Sequence, residues 1–169
     1  MIQIGDIIGH TKDGNNNSYN CDNNINYLNW ERVIDKFSFE NRIMEYVRNL
    51  IKFRNDNPIF TSNGFKNSLS YCYDNGENAD KNNLGYWENG LERFFGVIIN
   101  SDRRIYVALN QSNENLNIQL PKNKEFSSWH VCLDTSNLSN TNLNPKDYIE
   151  KDYILNPQAL AIFTENYDG

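Results

Sequence analysis

The fold is decided by the stretch IGDIIGHTKDGNNNSYNCDNNINYLNWE, residues 4–31, together with the helical pattern that follows it. The isoleucines at the start predict that residues 1–9 form a short buried strand that ends at Gly5-Asp6. Residues 10–26 are polar and rich in asparagine, and they are predicted to form a loop. A loop of this length inside a compact domain is usually functional or disordered, so its side chains are the first candidates for a site.

A long amphipathic helix is predicted over residues 38–55. Its apolar side chains recur at spacings of three and four residues, so they form one stripe along the helix. Ser38 is the expected N-cap. Asn57-Pro58 is expected to end the helix, because a residue before proline disfavours helical dihedral angles. Residues 29–36 are expected to form a short helical turn ahead of it.

After residue 59 the apolar pattern changes to alternation, which is typical of strands with one buried face. Turn-forming residues separate these strands, and two long polar insertions, 74–90 and 134–152, interrupt them. Short strands at this spacing predict an antiparallel β-sandwich over residues 58–169. The candidate strands are 69–73, 93–100, 104–110, 116–120, 128–133, 153–155 and 159–164.

The predicted strand, loop and helix at the start of the chain cannot bury their own apolar faces. A strand followed by a loop and a helix is a building block of parallel sheets, and a parallel strand needs neighbours on both sides. Residues 1–57 are therefore expected to be the end of a larger α/β domain that begins before Met1. The expected domain boundary lies between residues 57 and 58.

The composition argues against several classes of partner. The formal net charge is -6 and no stretch is polybasic, which argues against binding to nucleic acid or to anionic lipid. No apolar run reaches the roughly 18 residues that span a membrane, and the first residues do not form a secretion signal. The three cysteines are scattered and form no C-x-x-C pair, which favours a reduced intracellular protein without a zinc or redox site. No cofactor or metal motif is expected.

Spaced residues of the loop form a recognisable pattern, G-D-x-x-G-x-T-x-x-G-N-N-N-x-Y-x-x-D-N, with a tryptophan a few residues on. This pattern resembles a segment of isoamylase-type and glycogen debranching enzymes in the α-amylase superfamily of glycoside hydrolases. The resemblance continues in order through FENRIMEYVRNLIKFRNDNPIF (39–60), the run 94–121, WHVCLDTS (129–136) and YILNPQALAIF (153–163). The matching residues of the loop are Gly5, Asp6, Gly9, Thr11, Gly14, Asn15, Asn16, Asn17, Tyr19, Asp22, Asn23 and Trp30.

The resemblance implies a mainly β fold class in two parts. Residues 1–57 would be the last strand, loop and helix of a TIM-type (β/α)8 barrel, and residues 58–169 its C-terminal β-sandwich. It also implies that the parent enzyme hydrolyses α-1,6 branch linkages in glycogen- or starch-like glucans by a retaining route, which needs two opposed carboxyl groups. In the family these groups end barrel strands four, five and seven, so they would lie before Met1. The chain alone is therefore expected to hold no catalytic residue and to be inactive.

The loop from Asp6 to Asn23 is expected to form one wall of the substrate cleft, because loops that follow barrel strands form the active face. Amide and carboxylate side chains bind sugar hydroxyl groups, and tyrosine rings such as Tyr27 stack on sugars. The alternative is that the asparagines bond their own backbone in turns and that His10 caps the strand end. The expected substrate-binding residues are Asp6, His10, Asn15, Asn16, Asn17, Tyr19, Asp22 and Asn23.

Other polar and aromatic residues have plainer interpretations. His130 is expected to be packed or on the surface. Asp134 in isolation would suggest a carboxylate site, whereas the resemblance implies that it ends a strand in a turn. Lys12-Asp13 are expected to be solvated charges. The aromatic residues expected in the core, with a carbohydrate platform as the alternative, are Trp87, Phe94, Phe95 and Trp129.

Two other functions stay open at this point. The family glutamate after Gly-Asp is Ile7 here, which favours a catalytically silent, regulatory isoamylase-type subunit. The third alternative is a free-standing glucan-binding β-sandwich module with residues 1–57 as an extension. The expected partners are a branched α-glucan (glycogen or amylopectin), the missing barrel of the same polypeptide, and further subunits of a homo- or hetero-oligomer. The expected location is the cytoplasm or a plastid.

Overall fold

The computed structural model divides into two compact units, Met1–Asn57 and Pro58–Gly169. We call them the N-terminal unit and the β unit. Within the described residues, no helix is long and apolar enough to cross a membrane. Trp87 and residues 138–147, about which the sequence makes predictions, lie outside the described residues. The structure describes residues 2–3, 5–62, 68–80, 82, 86, 88, 93–122, 127–137, 148–149 and 151–167.

The predicted helices are confirmed in the N-terminal unit. Helix α1 spans Trp30–Ile34, and helix α2 spans Phe39–Asp56. The Ser38 hydroxyl accepts a hydrogen bond from the Asn41 backbone N–H at 3.0 Å, which is the expected N-cap. Asn57 leaves the helical region with φ -122° and ψ 83°, as a residue before proline should. Both ends of the long helix thus follow from the sequence.

The predicted N-terminal strand is wrong for the residues that the structure describes. Asp6–Ile8 forms a 3-10 turn, in which the Gly9 N–H donates to the Asp6 carbonyl oxygen at 3.2 Å. Gly9 has a φ of 65°, a left-handed conformation that ends the turn and that glycine adopts without strain. The Asp6 carboxylate accepts a hydrogen bond from the Gln3 N–H at 3.1 Å. Such local bonds compete with strand pairing; Met1 and Ile4 lie outside the described residues.

Several large apolar side chains of the N-terminal unit are exposed. Ile34 is 77% exposed and Phe37 is 92% exposed. Trp30 is 56% exposed and lies four residues before Ile34 on α1, so both side chains share one face of that helix. The hydrophobic residues that the structure describes as buried in this unit are Ile8, Val33, Tyr46 and Phe53.

The β unit begins with a 3-10 turn over Pro58–Thr61 and continues with strands that all pair antiparallel, as predicted. Each candidate strand is found within three residues of its predicted ends. Two further strands, β2 and β7, lie inside the predicted polar insertions. The strands are β1 Leu69–Cys72, β2 Asn78–Ala79, β3 Phe94–Ile99, β4 Ile105–Asn110, β5 Leu116–Gln119, β6 Ser127–Asp134, β7 Tyr148–Ile149, β8 Asp152–Leu155 and β9 Ala159–Tyr167.

The strands form two sheets of unequal size. The larger, seven-stranded sheet has the order β2-β1-β3-β4-β9-β6-β7, and the smaller one is the pair β5-β8. Ile118 of β5 and Leu155 of β8 are fully buried, and they join one core cluster with Tyr106 and Phe163 of the larger sheet. The Tyr153 ring meets the Phe163 ring edge-on, with centroids 5.0 Å apart. The pair β5-β8 therefore covers one face of the seven-stranded sheet.

The aromatic residues of the β unit follow the strand alternation. Phe94 and Trp129 are buried in the core, as predicted. Phe95 is next to Phe94 on β3, so it points to the opposite face of the sheet, where it is 36% exposed. Its predicted place in the core is therefore wrong. His130 is packed, with 5% exposure, and pairs in register with Thr164.

A buried ion pair joins β9 to the residue that precedes β4. The Glu165 carboxylate is fully buried, and it accepts two hydrogen bonds from the Arg104 guanidinium, at 2.6 Å from Nε and 2.5 Å from Nη2. Arg104 also lies 5.3 Å from the centre of the Trp129 ring, a cation–π distance. The bidentate geometry compensates the carboxylate charge inside the core.

Gly96 lies on β3 where a side chain has no room. A Cβ atom at this position would lie 2.8 Å from both the carbonyl oxygen and the Sγ of Cys72, its partner on β1. It would also lie 3.0 Å from the Phe94 ring. Because real Cβ atoms do not approach backbone oxygen this closely, only glycine permits the observed spacing of β1 and β3.

Asp134 ends β6 in a turn, as predicted, and binds the small sheet to the large one. Its Oδ1 accepts hydrogen bonds from the backbone N–H and the hydroxyl of Ser136, at 2.8 and 2.6 Å. Its Oδ2 accepts a hydrogen bond from the Tyr153 hydroxyl of β8 at 2.6 Å. Burial raises the pKa of the Tyr153 phenol, and the hydrogen bond to the Asp134 carboxylate raises it further.

We expect Gly96→Ala to destabilise the β unit by about 1–3 kcal/mol, because the added methyl group overpacks the β1–β3 contact. Urea denaturation followed by tryptophan fluorescence measures the free energy of unfolding. Asn117→Ala, at an exposed position of β5, is the control and should change the free energy of unfolding by less than about 0.5 kcal/mol. Equal stability of Gly96→Ala and wild type would show that the spacing of the two strands is adjustable.

Tyr153→Phe should lower the free energy of unfolding by about 1–3 kcal/mol at neutral pH, because Asp134 Oδ2 loses its donor. In the wild type, the unfolded chain releases the phenolic proton above about pH 10, whereas the folded protein retains it. The free energy of unfolding of the wild type should therefore fall as the pH rises above that value. The free energy of unfolding of Tyr153→Phe should fall less steeply over the same range. Denaturation curves from pH 7 to 11 test this, and parallel curves for the two proteins would contradict it.

Candidate functional site

Side-chain bonds to the backbone shape the asparagine-rich loop of the N-terminal unit. Asn15 Oδ1 accepts a hydrogen bond from the Asn17 N–H at 2.9 Å, and Asn23 Oδ1 accepts one from the Ile25 N–H at 3.1 Å. The Thr11 hydroxyl accepts one from the Asp13 N–H at 3.0 Å. Each bond closes a tight turn over two residues. For Asn15 and Asn23, the structure therefore supports the turn-forming role.

A second group of hydrogen bonds joins the start and middle of the loop to its end. The Asn26 amide donates to the Ser18 carbonyl oxygen at 2.6 Å and to the Cys21 carbonyl oxygen at 2.5 Å. Its Oδ1 accepts a hydrogen bond from the Lys12 ammonium at 2.7 Å. Lys12 also donates to the Ile25 carbonyl oxygen at 3.1 Å. The prediction that Lys12 is a solvated charge is therefore wrong, because its ammonium is half-buried and bonded across the loop.

His10 lies at the start of the same loop and contacts its end. Its Nε2 lies 2.9 Å from the Ile25 carbonyl oxygen. A carbonyl oxygen only accepts, so Nε2 carries the proton in this bond and Nδ1 is the ring atom left to bind another group. A Cβ atom on Gly5 would lie 3.2 Å from His10 Cβ, so the glycine lets the histidine pack closely. His10 therefore joins the start of the loop to its end.

The other predicted site residues lie on the outside of the loop. Tyr19 is 97% exposed. The Asp22 carboxylate accepts a hydrogen bond from the Tyr27 hydroxyl at 2.7 Å, and this bond is the main reason why the pKa of Tyr27 is raised. Asn15 and His10 are half-buried. The predicted residues with exposed side chains are Asp6, Asn16, Asn17, Tyr19, Asp22 and Asn23.

The arrangement offers exposed amides, carboxylates and an aromatic ring on a loop held from inside. This combination suits sugar hydroxyl groups and the apolar face of a sugar ring. Within the described ranges, no group of three or more His, Cys, Asp and Glu residues could hold a metal ion. Sequence reasoning missed Asn26, since nothing in the local pattern separates it from the other asparagines.

Curated proteins of similar sequence include isoamylases and glycogen debranching enzymes. Isoamylase 3 of rice is 30% identical over 151 residues, which cover 86% of this chain and 18% of the relative. Isoamylase 1 of Arabidopsis thaliana is 32% identical over 138 residues, 80% of this chain and 16% of the relative. The glycogen debranching enzyme of Escherichia fergusonii is 30% identical and covers 72% of this chain. No protein-family profile matches the chain.

Solved structures of similar fold are pullulanases. The Bacillus subtilis pullulanase type I aligns over 95% of this chain and 20% of its own, with a TM-score of 0.65 and 20% identity. The pullulanase from Bacillus acidopullulyticus aligns over 95% of this chain and 18% of its own, with a TM-score of 0.64 and 17% identity. At these identities the likeness concerns the fold.

This chain spans less than a fifth of the length of the rice and Arabidopsis relatives. The match nevertheless extends over most of the chain. The spaced residues of the loop indicate the same kind of enzyme. The resemblance inferred from the sequence is confirmed: the fold of the chain resembles the C-terminal part of pullulanases, and the chain belongs to the family of isoamylase-type and glycogen debranching enzymes.

Proposed function

We propose that this chain is the C-terminal part of a glycosidase that hydrolyses α-1,6 branch linkages in glycogen- or starch-like glucans. The observation that carries the proposal is its relation to isoamylases and debranching enzymes over most of its length. Retaining hydrolysis needs a carboxylate nucleophile and a carboxylic acid that protonates the leaving oxygen. These groups are proposed to lie in a part of the protein outside the 169 residues. This chain would bind and orient the glucan.

The N-terminal unit would complete a catalytic barrel. Its apolar side chains support this, because Trp30, Ile34 and Phe37 are largely exposed and would be covered by neighbouring barrel elements. The 3-10 turn at Asp6–Ile8 fits the same proposal. A parallel strand is held only by its neighbours, and a backbone without them satisfies its polar groups by local bonds. The β unit would then be the C-terminal domain of that enzyme.

The loop would form a wall of the glucan cleft. The exposed amides of Asn16 and Asn17 would bind sugar hydroxyl groups, and the Tyr19 ring would stack on a sugar. Asp6, His10, Asp22 and Asn23 would add further polar contacts. Asn15 would act through the turn that it forms with Asn17. Retention of a long branched substrate at this wall requires the loop to keep one shape.

A second candidate function rests on Ile7. This residue stands where the resembling enzymes have glutamate, and it lies half-buried in the 3-10 turn next to the loop. An apolar side chain there cannot bind a sugar hydroxyl or support a neighbouring charge. The chain would then be part of a catalytically silent subunit that assembles with an active debranching enzyme. A third function, glucan binding by the β unit alone, would leave the loop without a role.

The full-length protein, incubated with amylopectin or glycogen, should release linear chains and new reducing ends. Linear maltooligosaccharides are the control and should remain intact. Failure to cleave together with tight binding of the branched glucan would favour the silent subunit. Failure both to cleave and to bind would reject the proposed function. The cytoplasm or a plastid is the proposed location, in which such a substrate is stored.

The variant Asn16→Ala/Tyr19→Ala of the full-length protein should raise KM for branched glucan by about tenfold, since it removes a hydrogen bond and a stacking ring. Both side chains are exposed, so the thermal unfolding midpoint should not change. Asn117→Ala on β5 removes another exposed amide, from the β unit, and is the matched control. A KM equal to that of wild type in the loop variant would show that the loop does not contact the substrate.

A further inference from the structure

We propose that Lys12 and Asn26 are positioning residues, which together hold the loop in the shape that binds glucan. The inference rests on the proposed function, because it assigns the binding surface to this loop. The predicted binding residues lie between Lys12 and Asn26, except for Asp6 and His10. The two side chains meet at 2.7 Å although they are fourteen positions apart in sequence. Their contact therefore fixes the base from which the binding segment projects.

The Asn26 side chain uses all of its donor capacity on the loop backbone. A primary amide has two N–H donors, and Asn26 directs them to the carbonyl oxygens of Ser18 and Cys21. These two carbonyls flank Tyr19 and Asn20, and the Tyr19 side chain is exposed. The Cys21 N–H donates in turn to the Ser18 carbonyl oxygen at 3.0 Å, which closes the turn that carries Tyr19. Asn26 thus anchors the backbone turn that carries Tyr19.

Lys12 holds Asn26 in place from the other side. Its ammonium binds both the Asn26 Oδ1 and the Ile25 carbonyl oxygen, which also accepts the His10 ring N–H. A charged donor to a half-buried oxygen makes a stronger bond than a neutral donor. The ammonium also fixes the orientation of the amide, because Oδ1 must face Lys12 and Nδ2 must face the two carbonyls. Neither residue needs to touch the glucan for this role.

Asn26→Asp tests the bonds to the Ser18 and Cys21 carbonyls separately from the bond to Lys12. It keeps an oxygen for Lys12, but it replaces the amide donors with a second carboxylate oxygen that repels the Ser18 and Cys21 carbonyls. Lys12→Met removes the ammonium and keeps an aliphatic side chain of similar length. Lys12→Arg retains the charge and the donors, so it should bind glucan with most of the wild-type affinity, which Lys12→Met should lose. Asn24→Asp adds the same charge two positions away, at an exposed site, and is the matched control.

In the full-length protein, Asn26→Asp and Lys12→Met should each raise KM for amylopectin by about tenfold, with kcat changed by less than about twofold, because the loss falls on binding. The combined variant should show less than the product of the two effects, since both changes break one network. Hydrogen exchange at the Cys21 amide should accelerate in both variants. The thermal unfolding midpoint should not move, because the loop opens locally.

Wild-type KM values in Asn26→Asp and Lys12→Met would overturn the proposal, as would faster exchange of the loop without a change in KM. A fall in kcat at constant KM would also contradict it, since that pattern places the residues at the reacting bond. These outcomes differ from a failure of the proposed function. In that case the wild-type protein itself would neither cleave nor bind the branched glucan. The proposed role of Lys12 and Asn26 in binding would then be rejected together with the proposed function.

Discussion

A polar loop keeps one shape only if side chains supply the hydrogen bonds that a helix or sheet would otherwise provide. The loop between Asp6 and α1 meets this condition through the Lys12 ammonium and the Asn26 amide, which are bonded to each other. The turns formed by Asn15 and Asn23 add local order. The asparagines of this loop therefore divide into two kinds. Some hold the backbone, and the side chains of the remainder, such as Asn16 and Asn17, are exposed.

The β unit is organised by buried polar contacts as much as by its apolar core. The Glu165 carboxylate and the Arg104 guanidinium join β9 to the start of β4. The Asp134 carboxylate joins the end of β6 to β8. Each contact is satisfied at both ends, so it fixes the register of the strands without leaving a buried charge unpaired. Among the described residues, no group of three or more His, Cys, Asp and Glu side chains could hold a metal ion.

The sequence was a good guide where a periodic pattern is long. Helix α2 and the major strands of the β unit have clear periods, and Ser38 has the side chain of an N-cap. Strands β2 and β7 have two residues each, too few to show alternation. The 3-10 turn at Asp6–Ile8 is closed by backbone bonds from the Ile8 and Gly9 N–H groups, whereas the isoleucines of this segment are typical of strands. No local sequence pattern predicts the contact between Lys12 and Asn26, because it joins the two ends of a loop.

The most direct test of the account is a hydrogen-exchange footprint of the full-length protein with and without a branched maltooligosaccharide. If the loop is a wall of the glucan site, bound sugar should slow exchange in peptides that cover residues 10–29, and peptides from β3 and β4 should exchange at the same rate in both states. Protection confined to residues 58–169, with residues 10–29 unaffected, would contradict the account, because glucan would then be bound by the β unit and not by the loop.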